Sequence, residues 1–174
     1  MLKVELIFYQ FNFFLYICKK NQFNMEVIKE KRKGFANFRE IEYYRYKLIS
    51  DDEKVLCSID ADVETIEDKT KYINEYKDKK VIYLNTFSTT DGNRNKGYGR
   101  YLLNDVIRRF KGKYDLIHLN ACPYHHPSPF WTIYKAPKDG LKTKRLVEFY
   151  KTFGFKKLRT KYCDGHSEVV MVLM

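Results

Sequence analysis

Proline and cysteine are scarce in this chain of 174 residues, with four of each. Three of the prolines fall between Pro123 and Pro129, and neither an internal repeat nor a low-complexity linker is visible. One domain over residues 1–174 is therefore expected, with its core in residues 40–174. The cysteines, Cys18, Cys57, Cys122 and Cys163, lie far apart and form no CxxC pair, which argues against a disulfide scaffold and against a zinc ribbon. A reducing, cytoplasmic setting is the expectation. Long apolar runs are missing as well. The stretch from Leu2 to Cys18 is broken by Lys3, Glu5, Gln10 and Asn12, and no small-residue cleavage site follows it. It reads as a packed strand or helix in a soluble protein with no membrane partner. Residues 1–24 stay unassigned, and Met25 is an alternative start.

What the chain has is apolar and aromatic content, 44% and 17%, enough to offset the entropy of ordering a globule. It also has 33 Lys and Arg against 22 Asp and Glu, a formal charge of +11. The excess is C-terminal: residues 81–174 carry seventeen basic and seven acidic side chains, whereas residues 51–80 carry six and ten. A basic half suits nucleic acid or a polyanionic cofactor, but charge alone favours a solvated lysine-rich surface.

Residues Glu40 to Ile49 and Lys54 to Ala61 read as a β-hairpin turning at Asp51-Asp52. Val63, Ile66, Ile73 and Tyr76 recur at helical spacing in a charged segment. A strand over Val81 to Phe87 leads through the loop Ser88 to Lys96 into a helix from Tyr98 to Phe110, whose Leu102, Leu103, Val106, Ile107 and Phe110 mark one face. Tyr114 to Ala121 is the next strand. Leu146, Phe149, Tyr150 and Phe153 predict a helix stopped by Gly154, and the segments Phe155 to Tyr162 and Ser167 to Leu173 flank a turn at Asp164-Gly165.

The run Arg94-Asn95-Lys96-Gly97-Tyr98-Gly99-Arg100 follows a strand and opens a helix. The first N–H groups of a helix lack internal partners and sit at the positive end of its dipole, glycines remove side chains that would keep a diphosphate away, and Arg94 and Lys96 add charge. Neither a P-loop nor a dinucleotide fingerprint fits this order of residues. The pattern RxxGxG resembles that of the GNAT-type N-acetyltransferases, and Leu146-x-x-Phe149-Tyr150-x-x-x-Gly154-Phe155 resembles the same family's C-terminal segment. The resemblance covers roughly Val81 to Phe155. It implies an α/β fold with a mixed, mostly antiparallel sheet and two splayed parallel strands. It also implies transfer of an acetyl group from acetyl-CoA to a primary amine by direct attack. In that reading Arg94, Asn95, Lys96, Gly97, Tyr98, Gly99 and Arg100 hold the coenzyme A pyrophosphate and Tyr150 protonates the departing thiolate. Tyr150 also fits as an aromatic core residue.

The strand Val81 to Phe87 carries no glutamate to act as general base, a departure from many relatives. His118, which shares a strand face with Asn120, and Asp91 are the candidates, though a strand histidine is often structural. The loop Ser88 to Asn93 is longer than usual, and the segment Cys122 to Leu141, with Trp131, reads as a pocket wall or a packed surface loop that shapes acceptor choice. Cys122-x-x-His125 and Cys163-x-x-His166 have ligand-like spacing, but such pairs arise by chance and the family needs no metal, so none is expected. The acceptor, a small amine or a protein amine, and the oligomeric state are not legible. A non-catalytic module that binds coenzyme A or nucleic acid on the same fold is the competing reading.

Overall fold

The computed structural model describes residues 25–36, 39–63, 76, 78–122, 142–163 and 166–174, with side chains described outside 34–42 and 161–167. Residues 1–24, the expected helix through Ile66 and Ile73, and most of the segment Cys122 to Leu141 fall outside that description. Seven strands form one mixed sheet: β1 (Glu26–Ala36), β2 (Arg39–Ile49), β3 (Val55–Val63), β4 (Val81–Thr89), β5 (Leu116–Ala121), β6 (Lys156–Cys163) and β7 (His166–Leu173). Their order is β1-β2-β3-β4-β5-β7-β6, and every neighbouring pair is antiparallel except β4–β5. Helix α1 (Tyr98–Phe110) links the parallel strands, and α2 (Thr143–Lys151) precedes β6. The fold is the mixed α/β one expected.

The expected hairpin is present as β2 and β3, with Tyr46 opposite Ile59 and Leu48 opposite Cys57, all at 2% exposure or less. Strand β1 has few apolar residues: Val27, with Met25 just before the strand, packs against the core, and charge supports the rest. Its ladder with β2 runs for eleven residues from Glu26↔Ile49 to Ala36↔Arg39. The Lys47 ammonium donates to Glu30 at 2.6 Å, and the Lys29 ammonium stands 3.9 Å over the Tyr44 ring. Such cross-strand pairs stabilise a sheet where hydrophobic alternation is absent.

Both helices pack on one face of the sheet, the helix face. Leu102, Leu103, Val106 and Phe110 of α1 and Val147 and Tyr150 of α2 join Ile82, Leu84, Ile117, Leu119 and Met171 in a single core. Each fully buried aliphatic side chain there contributes about 2 kcal/mol. Helix α1 lies on β2, β3 and β4, and α2 lies on β5 and β7. The far face carries a smaller apolar cluster of Val81, Leu116 and Val172 backed by Tyr76 and Leu158.

The parallel pair parts. β4 and β5 are in register from Val81↔Leu116 only as far as Leu84↔Leu119. Beyond that point β4 stays with β3 and β5 stays with β7. The β3–β4 register shifts between Asp60, opposite Thr86, and Ala61, opposite Leu84, so Asn85 is the extra residue of a bulge. A bulge bends its strand and increases its twist. Because Asn85 immediately follows the last β4–β5 pair, the bulge turns β4 away where the fork opens.

Candidate functional site

The fork opens under the seam between the two helices. Gly99, in the first turn of α1, lies against the freed end of β4: a Cβ added there would come within 2.9 Å of Phe87 Cζ. The expectation from sequence was that Gly99 clears space for a diphosphate. Its missing side chain admits the Phe87 ring and seats the helix terminus on the fork. Gly97 is the N-cap residue at φ 85°, ψ −6°, left-handed geometry that glycine adopts without strain. Asn95 is left-handed as well, at φ 62°.

The terminus of α1 has no side-chain cap and no acidic residue in its first turn, and its first closing bond is Tyr101 N–H to Gly97 O at 3.0 Å. The N–H groups before it lie at the positive end of the helix dipole, which favours an anion. The loop that leads in is tied to β3: Thr90 Oγ1 donates to Val55 O at 3.1 Å and Leu56 O at 3.0 Å, and Asn93 Nδ2 donates to Thr90 Oγ1 at 2.9 Å. Lys96 Nζ donates to Asn93 Oδ1 at 3.3 Å, and Arg94 pairs with Asp91 at 3.0 Å. Asp91 is thus engaged by a cation and almost fully exposed, a poor location for a general base.

Arg100 joins the helices. Its Nη1 donates to Thr152 Oγ1 at 3.0 Å, and its guanidinium lies 5.6 Å from the Phe149 ring centroid and 5.1 Å from that of Phe153. Phe149 in turn approaches Phe87 at 6.2 Å across the seam. Tyr150 sits on the next step of α2, 7% exposed, edge-on to Phe149 and to Phe155. Burial pushes its phenol well above the usual tyrosine range, so the group stays protonated. Gly154, at φ 91°, ends this segment as expected.

The structure links Arg100 to Thr152, Phe149 and Phe153, and Gly99 to Phe87, while Tyr150 lies one step further along the α2 segment against Phe149 and Phe155 and His118 lies elsewhere. His118 is 2% exposed on the far face, opposite Tyr83 in the paired stretch of β4 and β5, with the two rings 5.1 Å apart. It stands one step behind the fork. Sequence reasoning passed over Tyr83 and gave Asn120 no role; the period-two alternation that placed Asn120 beside His118 was the available signal. Among the described residues no cluster of three metal-ligating side chains occurs and no helix is long and apolar enough to cross a membrane. His125 and the side chains of Cys163 and His166 fall outside the description.

No family model matches the chain, and no curated protein matches it in sequence. Solved structures do match its fold. A structure described as histone acetyltransferase HPA2 and related acetyltransferase from Corynebacterium glutamicum superposes with a TM-score of 0.52 at 19% identity, over 75% of this chain and 63% of that one. NAA60 from Arabidopsis thaliana in complex with acetyl-CoA superposes with a TM-score of 0.51 at 11% identity, over 75% of each chain. This chain thus spans under two thirds of the first of these structures. The fold is that of the GNAT-type acetyltransferases.

Proposed function

We propose that this chain is an N-acetyltransferase, moving an acetyl group from acetyl-CoA to a primary amine at the β4–β5 fork. One observation carries the reading: an uncapped, acid-free helix N-terminus with left-handed Gly97 is seated on the open end of a parallel strand pair, beside a buried protonated tyrosine. The residues fit the donor. The N–H groups of α1 suit its diphosphate, Lys96 and Arg94 add positive charge at the rim, and the freed strand edges of β4 and β5 can receive an amide-bearing arm.

Acetyl-CoA supplies an activated acyl group, and the chain's residues do the rest. The fork orients the thioester toward the far face, where an amine enters. The Tyr150 phenol, on the helix face, donates its proton toward the sulfur as the C–S bond breaks, and takes one back from water as the thiol leaves. No covalent link to the protein forms. The proton lost by the amine leaves through a group on the far face or through water. Its basic surface favours the competing reading, a module that binds nucleic acid: Lys156, Lys157 and Arg159 of β6 are all exposed, as are Lys142, Lys144 and Arg145 at the start of α2. Salt-dependent retention on nucleic acid, without thiol release from acetyl-CoA in the presence of amines, supports that alternative.

Calorimetric titration of acetyl-CoA tests the leading reading. One-site binding is expected. Gly97→Glu should abolish it, through like charge and a strained left-handed backbone, and Lys96→Glu, an exposed change that spares the fold, should weaken it by about tenfold. Full affinity in Lys96→Glu together with a folded, binding Gly97→Glu overturns the placement of the donor.

A further inference from the structure

The helix face of the fork holds the phenol that receives the leaving group, so the incoming amine must be met from the far face, and the side chains there define how. Asn120 is the first residue of β5 beyond the last β4–β5 pair, Leu84↔Leu119, and by alternation it points to the far face with His118. One end of its carboxamide is fixed: Nδ2 donates to the Tyr83 hydroxyl at 3.3 Å. The other end, Oδ1, is buried and has no hydrogen-bond partner among the described residues. A buried carbonyl oxygen without a donor costs about 1–3 kcal/mol, and a cost of that kind persists where a ligand removes it.

The surroundings determine what kind of ligand that is. Tyr83 is backed by the His118 ring at 5.1 Å, and His118 and Val170, which flank Asn120 on β5 and β7, are at most 2% exposed. The amide is therefore backed by buried neighbours on β5 and β7, at the point where β4 and β5 part. Two carboxylates share this face on flanking strands: Asp62, opposite Tyr83 on β3, and Glu168 on β7, 7% exposed. A neutral acceptor oxygen on a face that also carries carboxylates on neighbouring strands suits a donor of two or three N–H bonds with positive charge, an alkylammonium that becomes an amine.

We propose that Asn120 Oδ1, oriented by Tyr83, accepts a hydrogen bond from the acceptor's primary amine and aims its nitrogen at the acyl carbon in the fork. This rests on the acetyltransferase reading above. The carboxamide takes no proton; it fixes the amine by one N–H and leaves the nitrogen lone pair directed at the carbonyl.

The test separates acceptor from donor. Thiol release from acetyl-CoA is followed with three primary amines as probes: n-butylamine, lysine amide blocked at its α-nitrogen, and alanyl-glycine amide. Acetyl-CoA affinity is measured by calorimetry on the same preparations. Asn120→Leu is expected to raise the amine KM by about tenfold, the loss of one buried hydrogen bond, with a smaller change in kcat and unchanged acetyl-CoA affinity. Asn120→Asp, which keeps an oxygen acceptor, should restore most of that loss, a rescue that a purely structural role does not give. If Asn120→Leu loses its thermal transition, Tyr83→Phe and Asn120→Ser carry the comparison, with the same rise in amine KM expected. An unchanged amine KM in a folded variant that binds acetyl-CoA overturns the inference and leaves the acetyltransferase reading intact. A wild-type protein that binds acetyl-CoA and releases no thiol with any probe overturns the inference and the acetyltransferase reading together, leaving a module that binds the donor without transfer. A wild-type protein that fails to bind acetyl-CoA overturns the reading beneath it.

Discussion

The two faces of the sheet at the fork are built from different chemistry. The helix face is apolar and aromatic, with Phe87, Phe149, Tyr150 and Phe155 in contact and cations at its rim. The far face is polar and internally paired: Arg45 grips Asp60 through two hydrogen bonds of 2.7 Å, Lys47 holds Glu30, and Asn120 holds Tyr83. An anionic donor and a cationic acceptor need opposite fields, and a sheet that splits in the middle lets one fold present both. On the proposed reading the helix dipole and exposed lysines would serve the first, and the amide with the carboxylates of the far face the second.

The largest effect that would sharpen this contrast is on the helix face. Tyr150→Phe removes the proposed proton donor and little packing, so kcat should fall by about 100-fold while acetyl-CoA affinity holds. Because burial holds the Tyr150 phenol above its ordinary range, its deprotonation should not appear as an alkaline limb of the wild-type rate profile. Turnover unchanged at saturating acetyl-CoA breaks this assignment; an alkaline limb that vanishes in Tyr150→Phe keeps Tyr150 as the acid and shows its phenol titrating in the ordinary range.

A smaller effect is expected where the helices meet. Arg100→Ala loses the hydrogen bond to Thr152 and the stacking on Phe149 and Phe153. Together these are worth about 1 kcal/mol, which in a chain of this size lowers Tm by about 3 °C. Acetyl-CoA affinity should fall several-fold, because the α1 terminus and Tyr150 are no longer held in register. A lowered Tm with full affinity would confine Arg100 to packing and remove it from the donor site.

How much of this could be read beforehand differs between the faces. On the helix face the apolar period of α1, the glycine turn and the LxxFY segment are local patterns, and each landed where expected. The boundaries moved slightly: Ser88 and Thr89 belong to β4 and not to the loop, because they pair with Ser58 and Cys57. Tyr114 precedes β5 in an isolated bridge with Lys111. A second demand on Gly99, its contact with Phe87, was not legible, since it is a tertiary fact. The far face was less legible. β1 has no hydrophobic alternation to betray it, its stability coming from β2 and from charges fifteen or more residues away. Asn120 becomes informative only once β4 and β5 are seen to part beside it, and a fork is a property of two strands that no single segment encodes.

The smallest expected effect is on His118, and it decides how the far face divides its work. The side chain is 2% exposed and packed against Tyr83, behind the last residues at which the parallel strands pair. An amine in the fork meets Asn120 first. His118→Gln keeps a polar side chain of comparable length, and with Tyr83 still bonded to Asn120 the change in kcat should stay within about threefold, a positioning effect well short of the factor a general base supplies. The acidic limb of the rate profile should hold its place. If that limb moves or disappears in His118→Gln while acetyl-CoA still binds, His118 takes the proton from the amine, through Tyr83 or a bridging water. The far face then contributes a base as well as a grip, and the contrast between the two faces becomes one between an acid on one side and a base on the other.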